Sequence, residues 1–357
     1  MKRYFISASL HDHFECMMDS MDSAPYTPSP DPADVPEEGR SATFRDWWQA
    51  ARPHTWFNAV APVVVGTGAA AYEFWWSLPQ AVLALIVAMG LIIGVNYAND
   101  YSDGVRGTDD DRTGPARLTA SGKTRPENVK RAAFISFGIA GLAGLVLALP
   151  AEPWLILVGA VCILAAWFYT GGKNPYGYRG LGEISVFIFF GLVAVLGTQF
   201  TQVLTVTWVG VACAVAVGAI SAAINLANNI RDIPTDKEAG KITLAVKLGD
   251  KRARILFSVL TLVPFVVTLI LATTLLTTLL ALVALPWAIS SIMVVQRGAQ
   301  GPDLIPVLGR NGRAMLVWSL VTAGALTAAS PMWWVGETVP YTVDGNQDFG
   351  WTVYIDR

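Results

Sequence analysis

Charge is what this sequence lacks most. Asp, Glu, Lys and Arg make up only 15% of its 357 residues, against 53% hydrophobic ones, and mean hydropathy is +0.46. A soluble domain rarely carries so little charge, so that class is excluded first. Cysteine is nearly absent: there are three, and Cys162 and Cys213 fall inside apolar runs, where they serve as small packing residues rather than a disulfide or thiolate–metal framework. Histidine is as scarce, at three. His11 and His13 stand near Cys16 in a Pro-rich tail and form no metal framework. An amino-terminal apolar h-region is also missing, so no cleavable signal peptide is expected.

What is abundant is the long uncharged run. Pro79 to Tyr97, Ala132 to Ala151 and Ser258 to Val295 are examples, and about 20 apolar residues suffice to cross a bilayer. The runs predict nine spans, near 52–72, 80–98, 131–149, 154–170, 181–199, 207–227, 254–273, 276–295 and 313–330. With the amino terminus inside, every Lys and Arg but the terminal Arg357 falls in the tail or in alternate loops on the same side. The four short loops assigned to the outside hold none. The positive-inside rule then fixes the orientation, in a cell membrane with the carboxyl terminus outside.

The chain divides into a disordered tail over 1–45, Pro-rich and acidic, a membrane domain over 46–330, and an extracytoplasmic tail over 331–357. Asp46 to His54 reads as an amphipathic lead-in along the membrane surface, with Trp47 and Trp48 at the interface and Pro53 in the first turn of a helix. The predicted fold is an all-α multi-pass bundle around a central cavity. Two stretches organise it. Asn225-Leu-Ala-Asn-Asn-Ile-Arg-Asp232-Ile-Pro-Thr-Asp236 closes the sixth span. Asn96 to Asp103 closes the second, 129 residues earlier, and Asn99-x3-Asp103 matches Asn228-x3-Asp232. Their positions four spans apart predict two four-helix repeats plus one added helix. A parallel repeat brings both acidic ends to one side of the membrane.

Acids and amides at the mouths of apolar helices are costly and so demand a reason. Asp100, Asp103, Asp109, Asp110, Asp111, Asp232 and Asp236 share the inner side, with Arg106, Arg112, Lys173 and Arg231 close in sequence. So many carboxylates at one cavity repel unless cations neutralise them. Oxygen ligands with no His or Cys nearby select Mg²⁺ or Ca²⁺ over zinc. Mg²⁺ on one or two carboxylates completes its shell with water and phosphate oxygens, and Arg and Lys clamp the rest. The combination points to a diphosphate whose lipid tail lies in the bilayer. Other residues leave two readings open. Asn58 is helix–helix glue or a substrate contact, Lys173 a topology anchor or a phosphate clamp, and Glu183 a helix cap or a base. A cation-coupled transporter is an alternative from another class. Against it, the acids sit at helix ends on one side and spans seven to nine offer no polar path.

Asn99-Asp-x-x-Asp103, Tyr169-x3-Lys173 and Asp232-x3-Asp236 together resemble the UbiA-type intramembrane prenyltransferases, over roughly residues 46–330. Gly114-Pro-x-Arg-Leu118, Tyr178-Arg-Gly-Leu-Gly-Glu183 and the continuation from Asn229 to Gly249 look most like the branch acting on 1,4-dihydroxy-2-naphthoate. The resemblance implies a Mg²⁺-dependent transfer of a polyprenyl group from polyprenyl diphosphate to that naphthoate, with loss of CO₂ and diphosphate, in menaquinone synthesis. A relative acting on 4-hydroxybenzoate or homogentisate is the nearest alternative. The resemblance further implies that Asn99, Asp103, Asp232 and Asp236 hold the Mg²⁺-diphosphate, helped by Asp100, Asp109 and Asp110. It makes Arg112 and Lys173 phosphate clamps, and Tyr169 the residue that positions the reacting carbon or shields a cation. Many 4-hydroxybenzoate relatives carry a further Asp at the position of Gly107; here the acids are displaced to 109–111. Arg52, Asn58 and Glu183 are the candidates for contact with the aromatic acceptor. No nucleic acid or protein partner is implied.

Overall fold

The structure, a computed structural model, describes residues 42–107 and 117–330. Among these there is no strand. Six helices are long and apolar enough to cross a membrane, which makes this an integral membrane protein. They are α3 (Leu78–Arg106), α4 (Pro126–Ala151), α6 (Gly182–Val203), α7 (Trp208–Arg231), α10 (Asp250–Leu271) and α11 (Leu276–Gln296). Two apolar helices are shorter, α2 (Phe57–Tyr72) and α5 (Leu155–Phe168). A further helix, α12 (Ile305–Ala328), is long enough but carries Arg310, Asn311 and Arg313 in its first turns. Short helices α1 (Phe44–Ala50), α8 (Ile233–Glu238) and α9 (Leu244–Leu248) lie at the connections.

Helix α7 is the hub. Of its apolar window 78% is buried inside the protein, against 22% for α3. The reason is composition: Ala214, Ala216, Gly218, Ala219, Ala222 and Ala223 keep its surface shallow, so that α6, α10 and α12 all pack on it. Small residues serve membrane helices this way because close backbone approach, not hydrophobicity, drives their association. The most extensive contact pairs α3 with α4, and its counterpart four helices on pairs α7 with α10. A Cβ on Gly90 of α3 would lie 2.9 Å from the Ser136 carbonyl oxygen of α4, so that contact requires glycine.

Several boundaries differ from the sequence reading. Helix α3 runs on to Arg106, eight residues past the apolar run, so the first acidic stretch is helical. Hydropathy marks the hydrocarbon layer rather than the end of the helix, and the polar turns continue beyond it. Helix α12 likewise starts at Ile305, ahead of the apolar run. Arg52 and Pro53 precede the first span instead of opening it: Arg52 adopts a left-handed backbone (φ 53°, ψ 68°) and a tight turn over Pro53–Thr55 separates α1 from α2. Phe44 opens α1 behind a Thr43–Asp46 capping box. The rest of the 1–45 tail and the tail from 331 lie outside the described residues.

Candidate active site

A cavity of about 480 Å³ opens between α2, α3, α4, α5, α6 and α7. Its rim is polar, with Arg52, Asn58, Asn96, Asn99, Tyr169, Asn225 and Asn228 on it; its walls are apolar, with Leu91, Gly144, Ile156, Phe189 and Val193; Thr198 and Thr201 lie along it near the far end. Part of the wall is a π-helical stretch of α6, Phe187–Leu196, an irregularity common at functional sites.

The two organising stretches contribute in parallel. Asn96 and Asn99 of α3 line the cavity, and so do Asn225 and Asn228, which stand 129 residues later on α7. Asn96 is held by its amide, which donates to the Ala51 carbonyl and to Thr55 Oγ1, both at 3.0 Å. Asn99 Oδ1 accepts from the Thr170 hydroxyl at 2.7 Å. Asn58 Oδ1 is buried with no hydrogen-bond partner among the described residues, which leaves it able to accept from a ligand.

The acids flank this rim. Asp103 Oδ1 accepts from the Tyr178 hydroxyl at 2.6 Å, and Arg117 reaches Oδ2 at 3.5 Å. Asp232 is gripped by the Arg231 guanidinium at 2.7 and 2.8 Å, with both side chains 6% exposed. Asp236 Oδ1 lies 3.1 Å from Lys241 Nζ. Tyr178 joins the two groups, because its ring lies 5.5 Å from Lys241 Nζ and 5.5 Å from the Arg106 guanidinium. The acid-bearing ends of α3 and of α7–α8 therefore meet at one end of the bundle.

Asp100 has a different setting. It is buried, and its two oxygens accept from the backbone N–H groups of Thr119 and Leu118, each at 2.9 Å. That anchors the turn which presents Arg117. Glu183, like Asp100, Asp103, Asp232 and Asp236, is off the cavity lining; its Oε1 accepts from the Asn229 amide at 2.7 Å, behind the rim. Tyr169 lies on the rim, packed edge-on against Tyr176 at 5.5 Å. Gly182 lets α6 begin beside it, since a Cβ there would stand 3.0 Å from the Tyr169 hydroxyl and 3.0 Å from Asn225 Nδ2. Lys173 is exposed at the mouth, in a loop whose Thr170 and Gly172 carbonyls accept from Arg106. Arg52 reaches the rim from its left-handed backbone, a strained conformation for a non-glycine residue. Asp109, Asp110, Asp111 and Arg112 lie outside the described residues.

Sequence reading missed Arg117, Tyr178 and Lys241, and it did not place Asn96, Asn225 and Asn228 among the contact residues. The amides carried a signal, being spaced three and four residues from the acids on one helix face. The basic residues carried none that separates them from topology anchors.

The donor set is all oxygen: three carboxylates and several amide carbonyls. Among the described residues no three of His, Cys, Asp and Glu converge closely enough to hold an ion unaided. Such a set fits Mg²⁺ that shares its shell with a diphosphate.

Residues 59–305 match the model of the UbiA prenyltransferase family. The chain is 57% identical over 288 residues to the 1,4-dihydroxy-2-naphthoate octaprenyltransferase of Mycobacterium tuberculosis, covering 80% of this chain and 98% of that protein. The Escherichia coli protein of the same name is 40% identical over 215 residues, 58% of this chain and 70% of that one. Among solved structures, a UbiA homologue from Archaeoglobus fulgidus bound to DMAPP and Mg²⁺ shares the fold at a TM-score of 0.58 and 16% identity, over 79% of this chain and 99% of that one. The chain is a member of the UbiA prenyltransferase family.

Proposed function

We propose that the protein transfers a polyprenyl group from polyprenyl diphosphate to 1,4-dihydroxy-2-naphthoate, releasing diphosphate and CO₂ in menaquinone biosynthesis. The observation that carries the proposal is the meeting of two acid-bearing helix ends at the mouth of an apolar cavity. It is supported by 57% identity, over most of the chain, to a protein named for that substrate.

Asn99, Asp103, Asp232 and Asp236 would hold Mg²⁺, which supplies charge neutralisation to the departing diphosphate. Lys173, Lys241 and Arg117 would meet the remaining phosphate oxygens. The C1–O bond of the allylic diphosphate breaks with its electron pair leaving on oxygen. The electron-rich ring carbon that bears the carboxylate attacks C1. The bond to the carboxylate then breaks, CO₂ departs, and its electron pair restores the aromatic ring as the quinol form of demethylmenaquinone. The apolar walls keep water from an allylic cation, and the Tyr169 ring at the rim shields it. Arg52 and Asn58, both on the cavity lining, would meet the acceptor's carboxylate and hydroxyl. Asp100 acts one step removed, holding the turn that carries Arg117, and Glu183 acts through Asn229.

Membranes containing the protein, given Mg²⁺, a polyprenyl diphosphate and one acceptor at a time, test the assignment. Prenylation of the naphthoate with CO₂ release is expected. Preference for 4-hydroxybenzoate or homogentisate would overturn the acceptor while leaving the chemistry in place.

A further inference from the structure

Tyr178 occupies a position none of the motif logic required. It lies in the loop after α5, on neither acidic stretch, yet it touches the first and reaches the second through Lys241. Its hydroxyl donates to Asp103 Oδ1 at 2.6 Å. Its backbone carbonyl accepts from the Ile242 N–H at 3.0 Å. Its ring stands 5.5 Å from Lys241 Nζ, and that ammonium lies 3.1 Å from Asp236 Oδ1. The Arg106 guanidinium, which holds the carbonyls of the loop bearing Tyr169 and Lys173, is 5.5 Å from the same ring. One side chain thus links the first acid, the last acid and the loop between α5 and α6.

We infer that Tyr178 is a positioning residue that clasps the two acid-bearing helix ends at a fixed separation and so sets the affinity of the site for divalent metal and diphosphate. The inference rests on the proposed function, because it takes Asp103 and Asp236 as the groups that face the metal–diphosphate. The physics is that of an orienting partner. A carboxylate on the last turns of a helix has freely rotating torsions, and a hydrogen bond to one oxygen fixes which lone pairs face the ligand. Partners of this kind typically govern about 10- to 100-fold in metal affinity. The ring contributes separately, since a cation held near an aromatic face costs less to immobilise. The clasp is built from contacts that a helix-packing role does not need: Tyr178 is only half buried.

The test uses the purified full-length protein in detergent and reads thermal stabilisation by MgCl₂ in the presence of inorganic diphosphate. Wild type is expected to rise in Tm with a saturable Mg²⁺ dependence. Tyr178→Phe keeps the ring and loses only the hydroxyl. Its half-point is expected about tenfold higher, with the metal-free Tm little changed. Tyr97→Phe removes a hydrogen bond to the Trp47 carbonyl, 3.1 Å long and made to neither Asp103 nor Asp236. It serves as the control for a merely structural bond, lowering the metal-free Tm and leaving the half-point alone. An unchanged half-point in Tyr178→Phe, or an equal shift in Tyr97→Phe, overturns the inference. A wild type that Mg²⁺ and diphosphate do not stabilise at all contradicts the proposed function instead. Should the Phe variant fail to purify, the Mg²⁺ dependence of diphosphate release in membranes, scaled to its own saturating rate, decides the same point.

Discussion

At the scale of single residues, the site is a set of carboxylates that already have cationic neighbours. Arg231 meets both oxygens of Asp232 in a pair that is 6% exposed on each side. Removing the cation of a buried pair of this kind costs about 3–5 kcal/mol. Arg231→Met is therefore expected to lower the Tm in detergent steeply, and Mg²⁺ with diphosphate is expected to restore part of it by giving Asp232 another cation. Asp232→Asn keeps the shape and removes the charge. Diphosphate release should fall on the order of 10²-fold or more, and the Tm should fall too, because the buried Arg231 loses its anionic partner; a variant of ordinary activity would remove Asp232 from the site. The acids and asparagines were legible in the sequence because polar groups stand out against apolar runs. Lys241 and Arg117 were not, because every inward loop of a membrane protein carries such residues for topology. Tyr178 was quoted only as part of a motif, and its hydroxyl acquires meaning only once the fold brings it to Asp103.

At the scale of elements, α1 and α6 show what helix boundaries do for the site. Helix α1 precedes Arg52 and is tied to the 117–125 loop by Asp46, whose carboxylate lies 2.6 Å from Lys123 Nζ. Burial alone pushes the Asp46 carboxyl up, but the bonds from Lys123 and from Thr43 outweigh it and bring the pKa from 3.8 to about 2. A carboxyl depressed by folding stabilises the folded state above its unfolded pKa, and that contribution is lost as pH falls through the folded one. The α1 tether is thus expected to hold at pH 4 and to loosen toward pH 2. Pepsin nicking around Phe44 and Trp47 would follow it, and Lys123→Met should already be nicked readily at pH 4. In α6 the sensitive position is Gly182, where a methyl group would meet Tyr169 and Asn225 at 3.0 Å. Gly182→Ala is expected to displace Tyr169 by a few tenths of an ångström and to reduce kcat about tenfold, with little change in Tm. Undiminished turnover would show that the placement of Tyr169 is not critical. Sequence periodicity located these helices but misplaced their ends, since a polar helical turn and a polar loop look alike until packing chooses between them.

At the scale of the whole molecule, the two acid-bearing ends share one end of the bundle, and the arrangement makes sense only if that end faces the compartment holding Mg²⁺ and a soluble aromatic acid. From the distribution of Lys and Arg we propose that it faces the cytoplasm. Lys173 is exposed at the mouth, with its loop pinned by Arg106, so a cysteine there reports the orientation directly. The background suits the experiment: Cys162 and Cys213 are buried, and a Cys16→Ser change removes the third thiol. Lys173→Cys is expected to react with a membrane-impermeant maleimide in inside-out vesicles and to remain unlabelled in intact cells. Prior binding of Mg²⁺ and diphosphate should slow the labelling if this loop closes over the phosphates. Labelling from outside would invert the topology. The acids would then face away from the cytoplasmic pool of acceptor, and the proposed substrate would have to reach them across the membrane.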